Sequence, residues 1–223
     1  IIIPSSVTKI CYDAFRSCSS LVEIFIPSSV TEIERSAFQY CKSLKKVNIP
    51  PIIVIEDGLF EGCEALEEIE IPLSVKYIKG AVFRNCNSLV SIKIPSSVES
   101  IEWCVFDGCE SLINIELPSS LTKLSSSLFR NCSSLKEIVI PESVTVIEEE
   151  VFYWCNSLIK VVIPPSLTKI GKEAFCYCKS LDHLNIPPSV TEIESHAFSY
   201  CPKLKNMIIP STVTHVGDGI FDD

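Results

Sequence analysis

The chain has 223 residues, of which 47% are apolar and 21% are charged, and this composition is typical of a folded protein and excludes general disorder. The sequence has 19 Lys and Arg residues against 28 Asp and Glu residues, for a net charge of -9. Because no basic run interrupts this acidic chain, a nucleic-acid partner is not expected. Prolines and charges also keep every apolar stretch below the ~18 to 20 residues that a membrane span needs, so no span is expected in this segment.

Proline recurs at a fixed step along the whole chain, which indicates a repeat. The prolines in register are Pro4, Pro27, Pro50, Pro72, Pro95, Pro118, Pro141, Pro164, Pro187 and Pro210. The step is 23 residues, except for one step of 22 residues from Pro50 to Pro72. Units this short cannot bury an apolar face alone, so neighbouring units must stack as a solenoid. We predict one solenoid over residues 1–223, with nine full units and a partial unit at each end, and we expect it to be a piece of a longer chain.

Each unit predicts three elements in chain order, counted here from its proline as position 0. The alternation over residues 21–26 predicts a short strand that ends at Pro27, because proline cannot donate to a strand ladder. Residues 30–33 predict a weaker strand or a bridge, and residues 36–41 predict a single helical or 3₁₀ turn. Copies of the first strand should lie side by side in a parallel sheet. The shortened unit, around residues 51–55, should lose one loop residue and keep its strands in register.

One unit, from Ile26 to Ile49, reads Ile-Pro-Ser-Ser-Val-Thr-x-Ile-x-x-x-Ala-Phe-x-x-Cys-x-Ser-Leu-x-x-Val-x-Ile. This frame resembles the BspA-like, treponemal-type leucine-rich repeat, and the resemblance covers essentially the whole chain. It implies a leucine-rich-repeat solenoid with a parallel β-sheet on one face and short 3₁₀ or α turns with weak strands on the other. It also implies a microbial cell-surface protein that binds host or bacterial partners. The family commonly has glycine at position 7, but only Gly171 and Gly217 keep it, so a positive φ is not expected to be required there.

Twelve cysteines would ordinarily indicate a disulfide framework, but nine of them form a single column at position 14. The column contains Cys18, Cys41, Cys63, Cys86, Cys109, Cys132, Cys155, Cys178 and Cys201. Stacked residues lie ~4.8 Å apart with parallel Cβ vectors, whereas a disulfide needs Cβ atoms about 3.8 Å apart that face each other. We therefore interpret the column as small buried side chains.

The remaining cysteines, Cys11, Cys104 and Cys176, lie outside the column and are the more probable exposed thiols on this pattern. Zinc is the alternative, and Cys176 and Cys178 with His183 are the nearest approach to a zinc site. However, the chain has no Cys-x-x-Cys pair, and a linear column cannot supply a tetrahedron. Unpaired thiols suit a reducing cytosol or an organism that lives with little oxygen.

No group of residues predicts catalysis or a cofactor. Serine at position 2 recurs in most units, and a residue that is repeated this often is structural, since its hydroxyl can satisfy turn backbone groups. The histidines occupy three different positions and share none with a Ser or Asp partner, so a catalytic triad is not predicted. Residues 148–150, all glutamates, together with Glu173 could attract calcium, but a solvated loop explains them better. We predict a non-enzymatic protein without metal or cofactor.

The strand predicts where a partner could bind. If positions 17, 20 and 22 face the core, positions 19 and 21 point outward along the open face of the sheet. These columns vary between units while the core columns barely do. The candidate binding surface comprises Phe25, Lys46, Glu68, Glu70, Lys93, Glu116, Val139, Lys160, Val162 and His183. Phe25 and Ile2 would form one apolar spot, and Val139 and Val162 would form a second spot beside Lys160.

A second candidate surface is aromatic. Position 13 holds Trp154, Tyr177 and Tyr200 in three consecutive units, and Tyr153 stands beside Trp154. Mutual stacking of these rings would stabilise adjacent turns by about 0.5 to 1.5 kcal/mol per pair. The alternative is an interface hot spot, because Trp and Tyr concentrate binding energy. The sequence favours the stacking interpretation.

These observations predict a non-enzymatic protein-binding or adhesion module of a microbial cell-surface or secreted protein, with a protein partner on a host or another cell. The alternative is an intracellular scaffold or regulatory module in the cytoplasm, which the apparently unpaired cysteines and the absence of a signal peptide in this segment favour. Neither end shows a polar capping unit, so end-to-end self-association is also expected to be available.

Overall fold

The computed structural model describes residues 1–205 and 207–222. These residues form a parallel β-solenoid of about nine turns of roughly 23 residues and contain no helix, so none of them could form a helix that crosses a membrane. The turns present short strands that belong to two ladders, one with ten strands and the other with six among the described residues. The predicted fold class is therefore confirmed.

The front sheet contains the strands at positions 19–21, which are β2 (Glu23–Ile24), β4 (Lys46–Val47), β7 (Ser91–Lys93), β9 (Asn114–Glu116), β11 (Glu137–Val139) and β13 (Lys160–Val162). The back sheet contains the strands at positions 5–6, which are β1 (Lys9–Ile10), β3 (Glu32–Ile33), β5 (Val54–Ile55), β6 (Tyr77–Ile78), β8 (Ser100–Ile101), β10 (Lys123–Leu124), β12 (Val146–Ile147), β14 (Lys169–Ile170), β15 (Glu192–Ile193) and β16 (His215–Val216).

Paired residues are parallel and follow the repeat, as where Lys9 pairs with Glu32 and Glu137 with Lys160. The front sheet consists of the pairs β2-β4, β7-β9 and β11-β13. Isolated bridges join Ile2 to Phe25, Glu70 to Lys93 and Lys160 to His183. The back sheet consists of β1-β3, β5-β6-β8 and the five-stranded run β10-β12-β14-β15-β16. The strand predicted to be the weaker one is thus the more continuous of the two, because it recurs in every unit as a regular two-residue strand.

The shortened unit affects the back sheet on one side only. Val54 pairs with Tyr77 in the next unit, so the predicted register holds in that direction. Among the described residues, the ladder does not continue from β3 to β5. In this register Ile52 takes the place of the valine at position 3 of other units, such as Val75, and it is buried as that valine is. Removal of one residue from the connection therefore keeps the core but interrupts the hydrogen-bonded ladder.

The phenylalanine column forms the centre of the core. Eight of its rings, from Phe38 to Phe198, are essentially fully buried, and neighbouring rings from Phe15 to Phe221 stack with centroids 5.1 to 5.9 Å apart. Parallel stacking follows from the repeat, because each unit places its phenylalanine ring at the same point of the turn and the turns lie on top of one another. The rings therefore connect all units through one continuous apolar column.

The cysteine column packs beside the rings and forms its own hydrogen bonds. Each Sγ from Cys41 to Cys201 donates to the carbonyl oxygen of the phenylalanine in the preceding unit, at 3.0 to 3.3 Å. Burial raises the pKa of the column thiols from Cys41 to Cys178, as for Cys41, whose pKa is raised to about 11. The prediction of small buried side chains is confirmed for the column from Cys41 onward, while Cys18 is half-buried.

The prediction for the other three cysteines is partly wrong. Cys11 is exposed and Cys104 is half-buried, but Cys176 is only 3% exposed. Cys176 occupies position 12, where the short side chains of Asp107 and Ser199 are also buried. A short side chain at this position is covered by the surrounding residues of the turn. The repeat pattern did not predict this burial, because the residue type at position 12 changes from unit to unit.

The turn after the back strand differs from the predicted helical turn. It keeps i to i−3 hydrogen bonds, such as Gln39 N to Ser36 O at 3.0 Å, but it forms no helix. Two residues per turn adopt positive φ, as Ser36 (57°) and Tyr40 (60°) do, and these interrupt the right-handed backbone. Gly171 has no positive φ, and a Cβ there would lie 2.5 Å from the backbone of Glu148. Close packing, not backbone freedom, explains that glycine.

The serine column at position 2 satisfies backbone groups, as predicted. Ser29 Oγ donates to Val7 O at 2.7 Å, and Ser166 Oγ donates to Val144 O at 2.7 Å. Each bond joins one unit to the unit before it. The repeated hydroxyls therefore hold the connections between units together.

Candidate binding surfaces

The front face carries every residue of the predicted binding surface in an exposed position. Side chains are exposed, buried and exposed in turn along the four three-residue front strands, which are Ser91–Lys93, Asn114–Glu116, Glu137–Val139 and Lys160–Val162. Phe25 is 69% exposed, although every other phenylalanine belongs to the buried column or its ends. Exposure alone does not show that a partner binds, so the binding role of this face remains a prediction.

The front face also forms two concave grooves. The larger one has a volume of about 850 Å³ and includes five of the predicted residues, namely Phe25, Lys46, Glu68, Glu70 and Lys93. The second groove, of about 680 Å³, includes Glu116 and Val139. Lys160, Val162 and His183 lie outside these grooves on neighbouring strands, where Val162 pairs with Val139 and His183 forms a bridge to Lys160. The predicted surface is therefore one face with separate concave regions.

Opposite charges alternate across the strands of the front face. Lys93 lies between Glu70 and Glu116 in the parallel register, and Lys160 Nζ lies 4.0 Å from a Glu137 carboxylate oxygen. The Lys160 and Glu137 side chains are both more than 60% exposed, so their pairing adds little to stability. These charges remain available to a partner and would set the register of binding more than its strength.

The aromatic ladder forms as the stacking interpretation predicts. The rings of Tyr177 and Tyr200 stack with centroids 4.3 Å apart and an interplanar angle of 6°, and Trp154 lies 4.8 Å from Tyr177. Tyr153 meets Tyr177 edge-on at 5.7 Å. Lys179 Nζ lies 5.1 Å from the centroid of the Trp154 ring, a cation–π contact. The ladder is half-exposed, so its ring edges also face solvent.

The backbone beneath the ladder is strained. Trp154, Tyr177 and Tyr200 have φ values of 61°, 61° and 56°, in the left-handed region that bulky residues rarely occupy. The same position in other units holds residues suited to it, as Asn85 and Asn131 show. Stacking offsets part of this cost in three consecutive units.

Replacing Trp154 with asparagine is expected to change the free energy of unfolding by less than about 1 kcal/mol. The substitution removes stacking worth about 0.5 to 1.5 kcal/mol and relieves a left-handed strain of about 1 to 2 kcal/mol. Thermal unfolding of the two proteins measures the difference. A loss above about 2 kcal/mol would mean that the ladder is a main support of the fold, whereas a lost partner with an unchanged melting curve would support an interface role.

A polar column at position 12 was not predicted from the sequence. With the shortened unit aligned, consecutive units place Gln39, Glu61, Arg84, Asp107 and Arg130 there. Gln39 Nε2 donates to Glu61 Oε2 at 2.6 Å, and Arg84 Nε forms an ion pair with Asp107 Oδ2 at 3.2 Å without an aligned hydrogen bond. The signal that could have revealed this column is the alternation of acidic and basic residues at one position in successive units.

Asp107 is the buried charged member of this column. Burial raises the pKa of its carboxyl group above the ordinary value, while Asn131, Arg84 and Arg130 act in the opposite direction. Asn131 Nδ2 donates to Asp107 Oδ1 at 3.1 Å. The column links polar and charged groups of adjacent units, and Asp107 is its most deeply buried member.

The other charged candidates are engaged in structural contacts. Glu148 accepts hydrogen bonds from Lys123 Nζ at 2.7 Å and from the Ser126 backbone N–H at 2.9 Å, and desolvation opposes the net lowering of its pKa by these donors. Glu150 pairs with Arg130 at 3.1 Å. In the part of the chain that the structure describes, no three His, Cys, Asp or Glu side chains are grouped to hold a metal ion.

One Ser, His and Asp group does come together near the C-terminal turns. Ser199 Oγ lies 3.4 Å and Asp222 Oδ2 lies 3.6 Å from the same nitrogen, Nδ1 of His196. A catalytic triad needs the nucleophilic hydroxyl and the orienting carboxylate on different ring nitrogens of the histidine base. Ser199 is also fully buried, and its hydroxyl donates to Gly219 O. The geometry is that of a structural contact.

Comparison with known proteins gives the family. A model described as the BspA type leucine rich repeat region matches in six copies, over residues 1–113, 53–179 and 103–223, and so covers the whole chain. The chain belongs to the BspA-type leucine-rich-repeat family. Leucine-rich repeats of this kind are generally non-enzymatic interaction modules of bacterial surface-type proteins. No curated protein matches the chain.

Solved structures of leucine-rich-repeat proteins resemble this chain. A leucine rich repeat protein of T. pallidum is 31% identical, with a TM-score of 0.67, over 72% of this chain and 78% of that one. A leucine rich cell surface protein from Faecalibacterium prausnitzii is 26% identical, with a TM-score of 0.58, over 96% of this chain and 73% of that one. The pneumococcal vaccine antigen PcpA, at 22% identity and a TM-score of 0.54 over 98% of this chain and 75% of that one, shares the fold.

Proposed function

We propose that the chain is a protein-binding or adhesion module of a microbial cell-surface or secreted protein, and that it binds a protein on a host or another cell through the front face. The observation that carries this proposal is the contrast between constant buried columns and a concave face whose exposed residues differ in every unit. A stacked scaffold of this kind fixes the position of each side chain on its surface, which suits recognition of a folded partner.

Two further observations are consistent with an extracellular position. The similar structure from Faecalibacterium prausnitzii is that of a cell surface protein. In addition, the thiols that favoured a cytoplasmic scaffold are largely buried, and burial raises their pKa, so the reactive thiolate is disfavoured. Such thiols survive outside a reducing compartment better than exposed thiols such as Cys11, so the buried column fits an extracellular position as well as a cytoplasmic one.

Antibody labelling of intact and permeabilised source cells tests the location. An antibody raised against residues 1–223 is expected to label intact cells as strongly as permeabilised ones. An antibody to a cytoplasmic enzyme serves as the control for membrane integrity. Labelling only after permeabilisation would contradict the surface position and support the scaffold alternative.

Binding of the purified chain to an array of host extracellular-matrix and cell-surface proteins tests the front face. We expect at least one array protein to bind, and we expect Phe25→Asn combined with Lys93→Glu to weaken that binding at least tenfold, because one change removes an apolar anchor and the other reverses a charge in the same groove. Thr168→Ser on the back sheet is the matched control and should leave binding unchanged. Equal binding by all three proteins would contradict the assignment to the front face.

A further inference from the structure

A column of exposed threonines on the back face is interrupted in three consecutive units. Position 4 holds threonine in the other seven units, as Thr8, Thr31, Thr122, Thr145, Thr168, Thr191 and Thr214. Where two such units adjoin, the hydroxyl donates to the carbonyl of the preceding threonine, as from Thr168 to Thr145 at 2.9 Å. With the shortened unit aligned by its strand pairing, the interrupting residues are Ile53, Lys76 and Glu99. None of them has the threonine hydroxyl that forms this bond between units.

The same three units form a separate part of the back sheet. Their back strands are β5, β6 and β8, and they pair only with one another in the described structure. The ladder continues neither from β3 to β5 nor from β8 to β10. We call these three units the middle segment. A change in strand pairing and a change in surface composition therefore occur at the same place.

Large apolar side chains are exposed on the back face of the middle segment. Ile53 is 58%, Leu73 81% and Trp103 49% exposed, and Tyr77 is exposed beside Ile53, whose carbonyl accepts from the Tyr77 N–H at 3.3 Å. Leu73 stands at position 1, where five other units have serine. Trp103 lies across Gly80, where a Cβ would come within 2.4 Å of the indole ring. We call these four exposed residues the middle patch.

The charge left unpaired beside the middle patch is negative. Lys76 Nζ forms an ion pair with Glu99 Oε1 at 2.7 Å, and Lys79 Nζ forms one with Glu102 Oε1 at 2.8 Å. Glu56 is half-buried, and among the described residues its carboxylate has neither an ion pair nor a hydrogen bond. Its counterparts at position 7 of other units each bind a lysine of the preceding unit, and these are Glu34, Glu148 and Glu194.

The cause lies in the preceding unit. Position 5 holds Lys9, Lys123 or Lys169 where the following glutamate is paired, but it holds Glu32 before Glu56. Desolvation and the neighbouring Asp57 raise the pKa of Glu56, although Lys79, whose ion pair is with Glu102, acts in the opposite direction. A partner that covered the middle patch would desolvate Glu56 further, so it would have to supply the missing positive charge.

We propose that the middle patch is a second binding surface and that it takes a polypeptide segment in which a Lys or Arg lies beside large apolar side chains. The apolar side chains cover Ile53, Leu73 and Trp103, and the cation pairs with Glu56. An acidic segment would place like charges together and is excluded by the same contacts. This surface lies on the back face, so the proposal can be tested independently of the front-face proposal.

Selection from a random dodecapeptide display library on the purified chain tests the proposal. The comparison protein carries Ile53→Thr and Leu73→Ser, which restore the residues that other units have at these positions and therefore fit the fold. Peptides enriched on the unmodified chain are expected to carry Lys or Arg next to aromatic or aliphatic residues. Their synthetic copies should bind the restored variant at least tenfold more weakly, and Glu56→Gln should weaken the same peptides several-fold.

Val139→Asn with Val162→Asn on the front face is the matched control, because it also removes two exposed aliphatic residues. This control should bind the selected peptides with unchanged affinity. Three outcomes would overturn the proposal: no peptide that distinguishes the unmodified chain from the restored variant, enrichment of acidic peptides, or equal loss of binding in the front-face control. Equal melting temperatures of the proteins establish that folding does not cause the difference.

Discussion

Replacing Phe129 with alanine is expected to lower the free energy of unfolding by about 3 to 5 kcal/mol. Phe129 is fully buried, and its ring stacks between Phe106 at 5.6 Å and Phe152 at 5.7 Å. The neighbouring rings are held in turn by their own units, so they cannot collapse into the space that the ring leaves. The cavity term therefore adds to the lost transfer free energy. Urea unfolding followed by circular dichroism measures the change.

Phe25→Ala is the matched control, since the same side chain is removed from an exposed position. Its free energy of unfolding should change by no more than about 0.5 kcal/mol. Because each unit contacts only its neighbours, the Phe129 variant could also unfold in two steps that divide the solenoid at this unit. Equal effects of the two substitutions would contradict the assignment of the phenylalanine column as the centre of the core.

The phenylalanine and cysteine columns were predictable because the same residue type recurs at the same position in nearly every unit. Phenylalanine at position 11 and cysteine at position 14 can be assigned to the core from the register alone, and the structure places both there. The left-handed positions were missed although Gly62, Asn85 and Gly108 signal one of them. Trp154 and its tyrosine neighbours occupy the same position, and because aromatic residues do not indicate positive φ, the preference for Gly and Asn there was overlooked.

The candidate surface was predictable only in part. Alternation along a strand predicts which side chains point outward, and Phe25 and Val139 are accordingly exposed. The grooves depend on how the units stack, and no single unit contains that information. The middle patch depends on where the back ladder is interrupted, and the interruption between β8 and β10 lies beside no insertion or deletion. We have no sequence-based account of that second interruption.

Replacing Arg84 with methionine is expected to lower the free energy of unfolding by about 2 kcal/mol at pH 7, and the loss should shrink in acid. Removing one partner of a fully buried pair costs about 3 to 5 kcal/mol. The Arg84 side chain is 42% exposed against 5% for Asp107, so solvent screening makes the smaller value appropriate. Glu61, which lies 3.9 Å from Arg84, loses the same cation but is less buried than a core residue.

The pH dependence identifies Asp107 as the source of the loss. Burial already raises the pKa of Asp107 in the folded state above its ordinary value of 3.8, and removal of Arg84 raises it further. An acid whose folded pKa exceeds its unfolded pKa destabilises the protein at higher pH, and this penalty fades as the pH falls through the folded pKa. The difference between the variant and the unmodified protein should therefore narrow from pH 7 to about pH 4, close to the ordinary pKa of an aspartate.

The double variant Arg84→Met with Asp107→Asn separates charge from packing. Asparagine removes the buried negative charge, so the double variant should recover most of the stability lost at pH 7, and its difference from the unmodified protein should no longer depend on pH in this range. Thermal unfolding of all three proteins at pH 7 and pH 4 gives the comparison. A loss in Arg84→Met that stays constant with pH, and that the second substitution does not relieve, would mean that the aliphatic stem of Arg84 supports the turn by packing and that the charge on Asp107 has no part in it.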